Sequence, residues 1–248
     1  MAYINSREVL FSPVVNGVLD NEALQQADIY KKIFANEPLD LVVPDGVTVL
    51  CEEQNIMYAP TTTVKASGAD VEEITGEFFA MTNVESIDFP KLKIINNEAF
   101  RDCSSLTEIN APVLTTIGDK AFNSCTSLTK INLPMLTTIG TEAILNTPKI
   151  VKMTVGALTS TDPYSFKQPI KGYNGSLTVL EVGNGTSADL YLQYSNKYTQ
   201  ATLHAIIENL ADLSERETAG NFVVGSTNLD KIDDEHKTML RNKNWNYE

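Results

Sequence analysis

The sequence predicts an α/β repeat solenoid, and three periodic features predict it together. The stretch from 78 to 158 repeats itself: Phe78, Phe100, Phe122 and Ile144 open units about 22 residues apart, and two units read NEAFRDCSSLTEINAPVLTTIG and DKAFNSCTSLTKINLPMLTTIG. Within each unit apolar residues stand at relative positions one, four and six, as Val84, Ile87 and Phe89, then Leu106, Ile109 and Ala111, then Leu128, Ile131 and Leu133, then Ile150, Met153 and Val155. The punctuation is periodic too. Pro90, Pro112 and Pro134 follow the strands, where a missing N–H interrupts little of a ladder, and Gly118 and Gly140 stand where the chain must turn.

The one-four-six spacing is that of a leucine-rich repeat strand, whose inward side chains stack on those of the rungs above and below. One rung cannot bury its own face, but several stacked at about 4.8 Å per strand make a continuous core. A second apolar group, Leu114 with Ile117 and Leu136 with Ile139, closes the opposite wall, and Phe100 and Phe122 fill the corner between units. Asn110 and Asn132 lie between inward positions, so they face solvent.

Composition bounds what such a stack can do. A chain of 248 residues with 42% hydrophobic and 21% charged residues can bury a core. Its net charge of -13 would repel phosphate backbones and anionic lipid, which argues against nucleic acid and membrane as partners. Three cysteines, Cys51, Cys103 and Cys125, are too few for a disulfide framework. Cys103 and Cys125 share a slot in adjacent units, close enough for a bond if the side chains pointed at each other, and are expected to be buried free thiols in preference to a bond or metal site. The opening MAYINSREVLFSP has no basic end followed by an apolar run, and no window approaches the roughly 18 apolar residues of a membrane span. As it stands, the chain is expected to be made in the cytoplasm and to reach any outside destination by lysis or by a route other than general secretion.

Three segments follow in order. Residues 1–40 hold a small hairpin or arm and then one amphipathic helix, with Leu24, Ala27, Tyr30, Ile33 and Phe34 at helical spacing and Pro38 closing it. That helix would cap the first rung or serve self-association. Residues 41–200 are the solenoid, with an irregular opening over 41–74 (Leu39 to Leu50 extended around a Pro-Asp-Gly turn, Met57 to Val64 extended) and regular units over 75–162. Ser176 to Val182 reads as a fifth strand and Asp189 to Tyr194 as the last. Residues 201–248 form an α/β cap: a helix carrying Leu203, Ile206, Ile207, Leu210 and Leu213, a strand at Phe222 to Val224, and a second helix from Asn228 or Asp233 to Asn242 with acids at its start.

The unit AFxxCxSLTxINxPxLTTIG is similar to the BspA-type leucine-rich repeats, a bacterial and phage subgroup, over residues 75 to 162. The resemblance implies attachment to proteins or host surfaces, with no catalytic residue to carry over. The tail, TLHAIIENLADL through GSTNLDKI to KNWNYE, resembles the terminal module of leucine-rich repeat proteins encoded by prophages of gut Firmicutes; Trp245 matches its tryptophan, while Asn244 stands where glycine is usual. The opening residues resemble the start of phage tail-associated proteins. A tail component binding a host-surface protein or glycan, or a neighbouring virion protein, is therefore expected in the virion, with trimers common among such appendages. A bacterial cell-surface adhesin and an intracellular scaffold are the alternatives.

Chemistry is sparse. His204 and His236 sit on predicted helices without a metal-spacing partner, no nucleophile elbow, Walker loop or His-Glu-x-x-His helix occurs, and Asp230, Asp233, Asp234 and Glu235 read as a helix start. No enzyme activity, metal or cofactor is expected. Binding through the strand face would use the columns Ser86, Glu108, Lys130, Lys152 and Val179 beside Asp88, Asn110, Asn132, Thr154 and Glu181. The insertion from Thr159 to Gly175 carries Tyr164, Phe166 and Tyr173, either a binding loop or rings covering the edge of the core.

Overall fold

A computed structural model describes residues 8–10, 18–19, 39–43, 45–50, 64–162, 164–166 and 176–248. The expected N-terminal helix, Cys51, the extended stretch up to residue 63 and Tyr173 lie outside the described residues.

Up to residue 139 each described rung gives one strand to a front sheet and one to a back sheet, and all pairings among the described residues are parallel. Numbered in chain order, the front carries β1 (Glu8–Leu10), β3 (Leu39–Val42), β5 (Val64–Ser67), β7 (Val84–Asp88) and β9 (Glu108–Asn110). The back carries β2 (Val18–Leu19), β4 (Val49–Leu50), β6 (Glu73–Ile74), β8 (Ile94–Ile95), β10 (Thr116–Ile117) and β12 (Thr138–Ile139). The repeat is visible in the register, since Ile95 pairs with Ile117 and Ile117 with Ile139.

The expected hairpin or arm over 1–19 is replaced by a rung. β1 pairs with β3 and β2 with β4, so the two strands stand in different sheets and each finds its ladder in the next turn of the coil. The opening is irregular in spacing yet keeps the ladder, with one register shift between Val64 and Lys65.

The core is the column of inward residues. Leu106, Leu114, Ile117, Leu128, Ile131, Leu136 and Ile139 are buried, and Phe79, Phe100 and Phe122 stack as parallel rings 5.0 and 5.3 Å apart. Cys103 and Cys125 are buried free thiols whose Sγ atoms donate to the carbonyls of Phe79 and Phe100 at 2.8 and 3.1 Å. Non-glycine residues take positive φ twice per rung, at Glu98 and Asp102, Lys120 and Ser124, Glu142 and Asn146. The inter-rung ladder holds them there: Glu98 donates to Asp119 O, Asp102 to Asn123 O and Lys120 to Thr141 O, all at 2.8 to 2.9 Å.

Gly118 and Gly140 are required for a reason other than turning. Neither has positive φ; a Cβ on Gly118 would lie 2.5 to 2.7 Å from Asn97 and Asn96, and one on Gly140 as close to Asp119 and Gly118. The backbones approach because Asp119 N–H donates to Asn97 Oδ1 and Thr141 N–H to Asp119 Oδ1, both at 2.8 Å.

Past the regular rungs, β11 (Lys130–Leu133), β13 (Lys152–Val155) and β14 (Val179–Glu181) form a second front sheet. Helix α1 (Gln200–Asn209) then lies against β14, where Thr202 Oγ1 donates to Thr178 O and Asn209 Nδ2 to Val182 O. α1 stops before Leu210 and Leu213, which are buried in extended chain instead of on the helix face, because Leu210 bridges to Thr186. Lys243 Nζ reaches the carbonyls of Ile207, Glu208 and Leu210, satisfying the end of α1. β15 (Leu190–Tyr191), β16 (Gly220–Val223) and β17 (Trp245–Tyr247) make a small parallel sheet, with α2 (Ser226–Leu229) and α3 (Asp234–Asn242) between the last two strands. Asn244 takes φ 61 just before β17, so asparagine supplies the left-handed residue that glycine would. No helix among the described residues is long and apolar enough to cross a membrane.

Candidate functional site

Strand alternation sends every second side chain of the front sheets outward, and parallel stacking lines these into columns. Ser86 stands in register with Glu108, and Asp88 with Asn110; beyond them Lys130, Lys152 and Val179 form one column, and Asn132, Thr154 and Glu181 the other. Asp88, Glu108, Asn110, Lys130, Asn132, Lys152 and Glu181 are exposed, whereas Ser86, Thr154 and Val179 are half-buried. These three short side chains lie among longer neighbours; Thr154 Oγ1, for one, donates to Glu181 Oε2 at 2.7 Å.

Both ends of the face are internally paired. Asn110 Nδ2 donates to Asp88 Oδ1 at 2.6 Å, and Lys152 Nζ to Glu181 Oε1 at 2.5 Å. The Lys152 ammonium and the Thr154 hydroxyl hold the Glu181 carboxyl below its ordinary range.

Between the two ends the face is interrupted. β9 closes the first front sheet, β11 opens the second, and the two do not pair. The backbone shows the break at one amide. Thr107 N–H donates to Glu85 O at 2.8 Å, Val151 N–H to Thr129 O at 3.3 Å and Thr178 N–H to Val151 O at 3.0 Å, but Thr129 N–H makes no such bond to Thr107 O. Behind the break the back sheet continues from β10 to β12, so only the front is parted.

The result is a notch of about 550 Å³ lined by matched residues of two rungs: Thr107 and Thr129, Glu108 and Lys130, Asn110 and Asn132, Pro112 and Pro134. Ile109 also lines it and is only partly buried, unlike its counterpart Ile131. The residues that follow the two lining prolines, Val113 and Met135, are apolar and 39% and 55% exposed. The notch thus offers a free backbone donor, two amides, one charge of each sign and an apolar shoulder. That set suits an extended, partly apolar polypeptide.

Of the residues expected on the binding face, Glu108, Asn110, Lys130 and Asn132 meet in the notch; the others flank it. The expected aromatic loop divides: Tyr164 is exposed, 6.1 Å ring to ring from Tyr194, while Phe166 is buried in the core. Phe166 is therefore a packing residue. The threonines, the prolines and the Val113–Met135 rim were not legible as site residues, and the signal beside them is Ala111, a small residue in the inward slot where neighbouring rungs place Phe89 and Leu133.

A second grouping lies outside the strand face. His204 does have partners at metal-ligand spacing: packing of α1 against α3 brings its ring to Asp233 and His236.

Residues 58–171 match, in six copies, the family model described as BspA type leucine rich repeat region. Over that stretch the chain is similar to leucine-rich repeats of that type, and the match begins earlier than the regular units. Among solved structures, the crystal structure of the T. pallidum leucine rich repeat protein is similar at 18% identity and a TM-score of 0.42, over 67% of this chain and 81% of that one. No curated protein matches.

Proposed function

We propose that this chain is a non-enzymatic binding module that holds a protein partner through the exposed face of β7, β9, β11 and β13, with the notch as its anchor. Leucine-rich repeats generally serve protein–protein interaction, and the observation that carries the reading here is the one position, among the described residues, where the hydrogen-bonded front face is parted. An extended segment lying in the notch would accept from Thr129 N–H, meet the Asn110 and Asn132 amides, and seat an apolar side chain against Val113 and Met135.

The more specific reading is a phage or phage-derived tail component whose partner is a host-surface protein or glycan, or a neighbouring virion protein. Support for it comes from the resemblances of the two termini. A cell-surface adhesin would use the same face.

Two measurements test these levels separately. Charge reversal by Glu108→Lys with Lys130→Glu should weaken capture of the purified, labelled chain by cells of its host at least tenfold, while exposed substitutions shift stability by less than about 0.5 kcal/mol. Unchanged capture would move the site off the notch. Mass spectrometry of purified phage particles should detect the chain; its absence would sink the tail assignment and leave the binding face standing.

A further inference from the structure

The C-terminal region holds a cluster that the binding face does not use. His204 lies on α1, Asp233 is the N-cap of α3, and His236 stands in the first turn of α3. The two imidazoles stack with centroids 3.6 Å apart. His236 Nδ1 lies 2.7 Å from Asp233 Oδ1, His204 Nε2 lies 3.6 Å from Asp233 Oδ2, and His236 Nε2 lies 3.6 Å from Glu208 Oε1. One ligating atom from each of His204, Asp233 and His236 can be chosen so that all lie within 4.8 Å of one another.

A second observation is independent of that proximity. The Nε2 atoms of His204 and His236 are closed to solvent and have no hydrogen-bond partner, and His236 as a whole is only 8% exposed. Buried polar atoms are ordinarily satisfied, so two orphaned nitrogens on stacked rings mark missing partners. A neutral imidazole keeps a lone pair on one ring nitrogen, and a cation accepts it. Distances of 3.6 Å between prospective donor atoms are close to the edge of a tetrahedron whose metal–ligand bonds are about 2.0–2.2 Å.

We propose that His204, Asp233 and His236 bind a divalent cation of the zinc class, with Glu208 or water completing the shell, and that the ion ties α1 to α3. Two imidazoles and a carboxylate select a borderline metal over the hard, oxygen-seeking magnesium and calcium. Because the stacked rings are within 15° of parallel, one ion cannot lie in both planes, and coordination turns one imidazole about χ2. The consequence is mechanical. α1 rests on β14, the last front strand, and α3 leads into β17, so the ion cross-links the helix against the final rung to the end of the chain.

The test uses the full chain after chelator treatment and dialysis. Zinc titrated calorimetrically should bind with one equivalent per chain, and at a free concentration a hundred times its Kd should raise Tm by about 5–10 °C, with magnesium and calcium inert. Cobalt should give the visible absorption of a four-coordinate site, and His204→Gln should weaken zinc at least tenfold. Nitrogen-15 spectra of the wild-type imidazoles give a readout that does not depend on any variant folding: both rings should shift on zinc addition. No saturable single equivalent, unshifted imidazoles, or wild-type affinity in His204→Gln would each overturn the proposal.

Discussion

Phe100 occupies the centre of the stack, and replacing it separates ring stacking from simple burial. Its side chain is fully buried between Phe79 at 5.0 Å and 10° and Phe122 at 5.3 Å and 12°. Phe122 has a ring on one side only, because the next unit offers Ile144 in that slot. Leucine keeps most of the apolar volume while removing the aromatic pairs, each worth about 0.5–1.5 kcal/mol beyond its area. Phe100→Leu therefore loses two pairs, about 1–3 kcal/mol, and Phe122→Leu loses one, about 0.5–1.5 kcal/mol. At about 2–4 °C of Tm per kcal/mol for a chain of this size, the central variant should melt about 2–12 °C lower. Urea unfolding followed by far-ultraviolet circular dichroism measures both variants on one scale. A falling m-value in Phe100→Leu would further show the coil dividing at the weakened rung, as a stack of nearest-neighbour interfaces must when one fails. Equal midpoints for the two variants, or the larger loss in Phe122→Leu, would refute the claim that paired rings hold this corner.

Three other outcomes follow from the same coil. Burial pushes the Cys103 thiol up to about 12 and raises that of Cys125 well above its ordinary value. A thiol that stays protonated when folded but ionises when unfolded contributes stability that is complete below the unfolded pKa near 9 and is lost as pH rises toward 12, at about 1.4 kcal/mol per pH unit for each thiol. The urea midpoint of the wild type should thus fall more steeply from pH 8 to pH 10.5 than that of a Cys103→Ala, Cys125→Ala double variant; parallel slopes would contradict it. Gly118→Ala places a methyl group against the backbone of the preceding rung and should cost at least about 1–3 kcal/mol as an overpacked site does, measured by thermal melting, whereas Gly46→Ala, with open space about it, pays only for its positive φ. In hydrogen exchange the Thr129 amide should open with a free energy near zero while those of Thr107 and Val151 are protected; a protected Thr129 would mean that the front sheet is closed in solution.

How much was legible in the sequence depended on whether a feature repeats. The one-four-six spacing placed Leu106, Leu128, Ile131 and Leu133 in one interior because each copy restates the same constraint. The outward columns followed from alternation, and so did the exposure of Asn110 and Asn132. Gly118 was recognised as special for the wrong reason: periodicity shows that a side chain is forbidden without showing whether φ or a neighbour forbids it. The first rung was misjudged because the residues that pair with Glu8–Leu10 lie some thirty positions on, beyond the reach of a local pattern.

The parting at the notch and the histidine cluster escaped for a shared physical reason, which is that each arises where the repeat fails. Sequence made β9 and β11 equivalent, yet the front sheet parts between them, where Ala111 stands in the inward slot that Phe89 and Leu133 fill in the neighbouring rungs. His204 and His236 likewise belong to helices that break the period, and no spacing within either helix announces the other. In a one-dimensional stack the regular rungs supply stability by restating one interface, so a position that departs from the restatement lowers stability and persists only if something offsets it. The intact back sheet offsets the parted front locally, since β10 and β12 remain paired behind it. A scaffold that can hold one strand pair open without unfolding is what anchoring a partner at one defined rung requires.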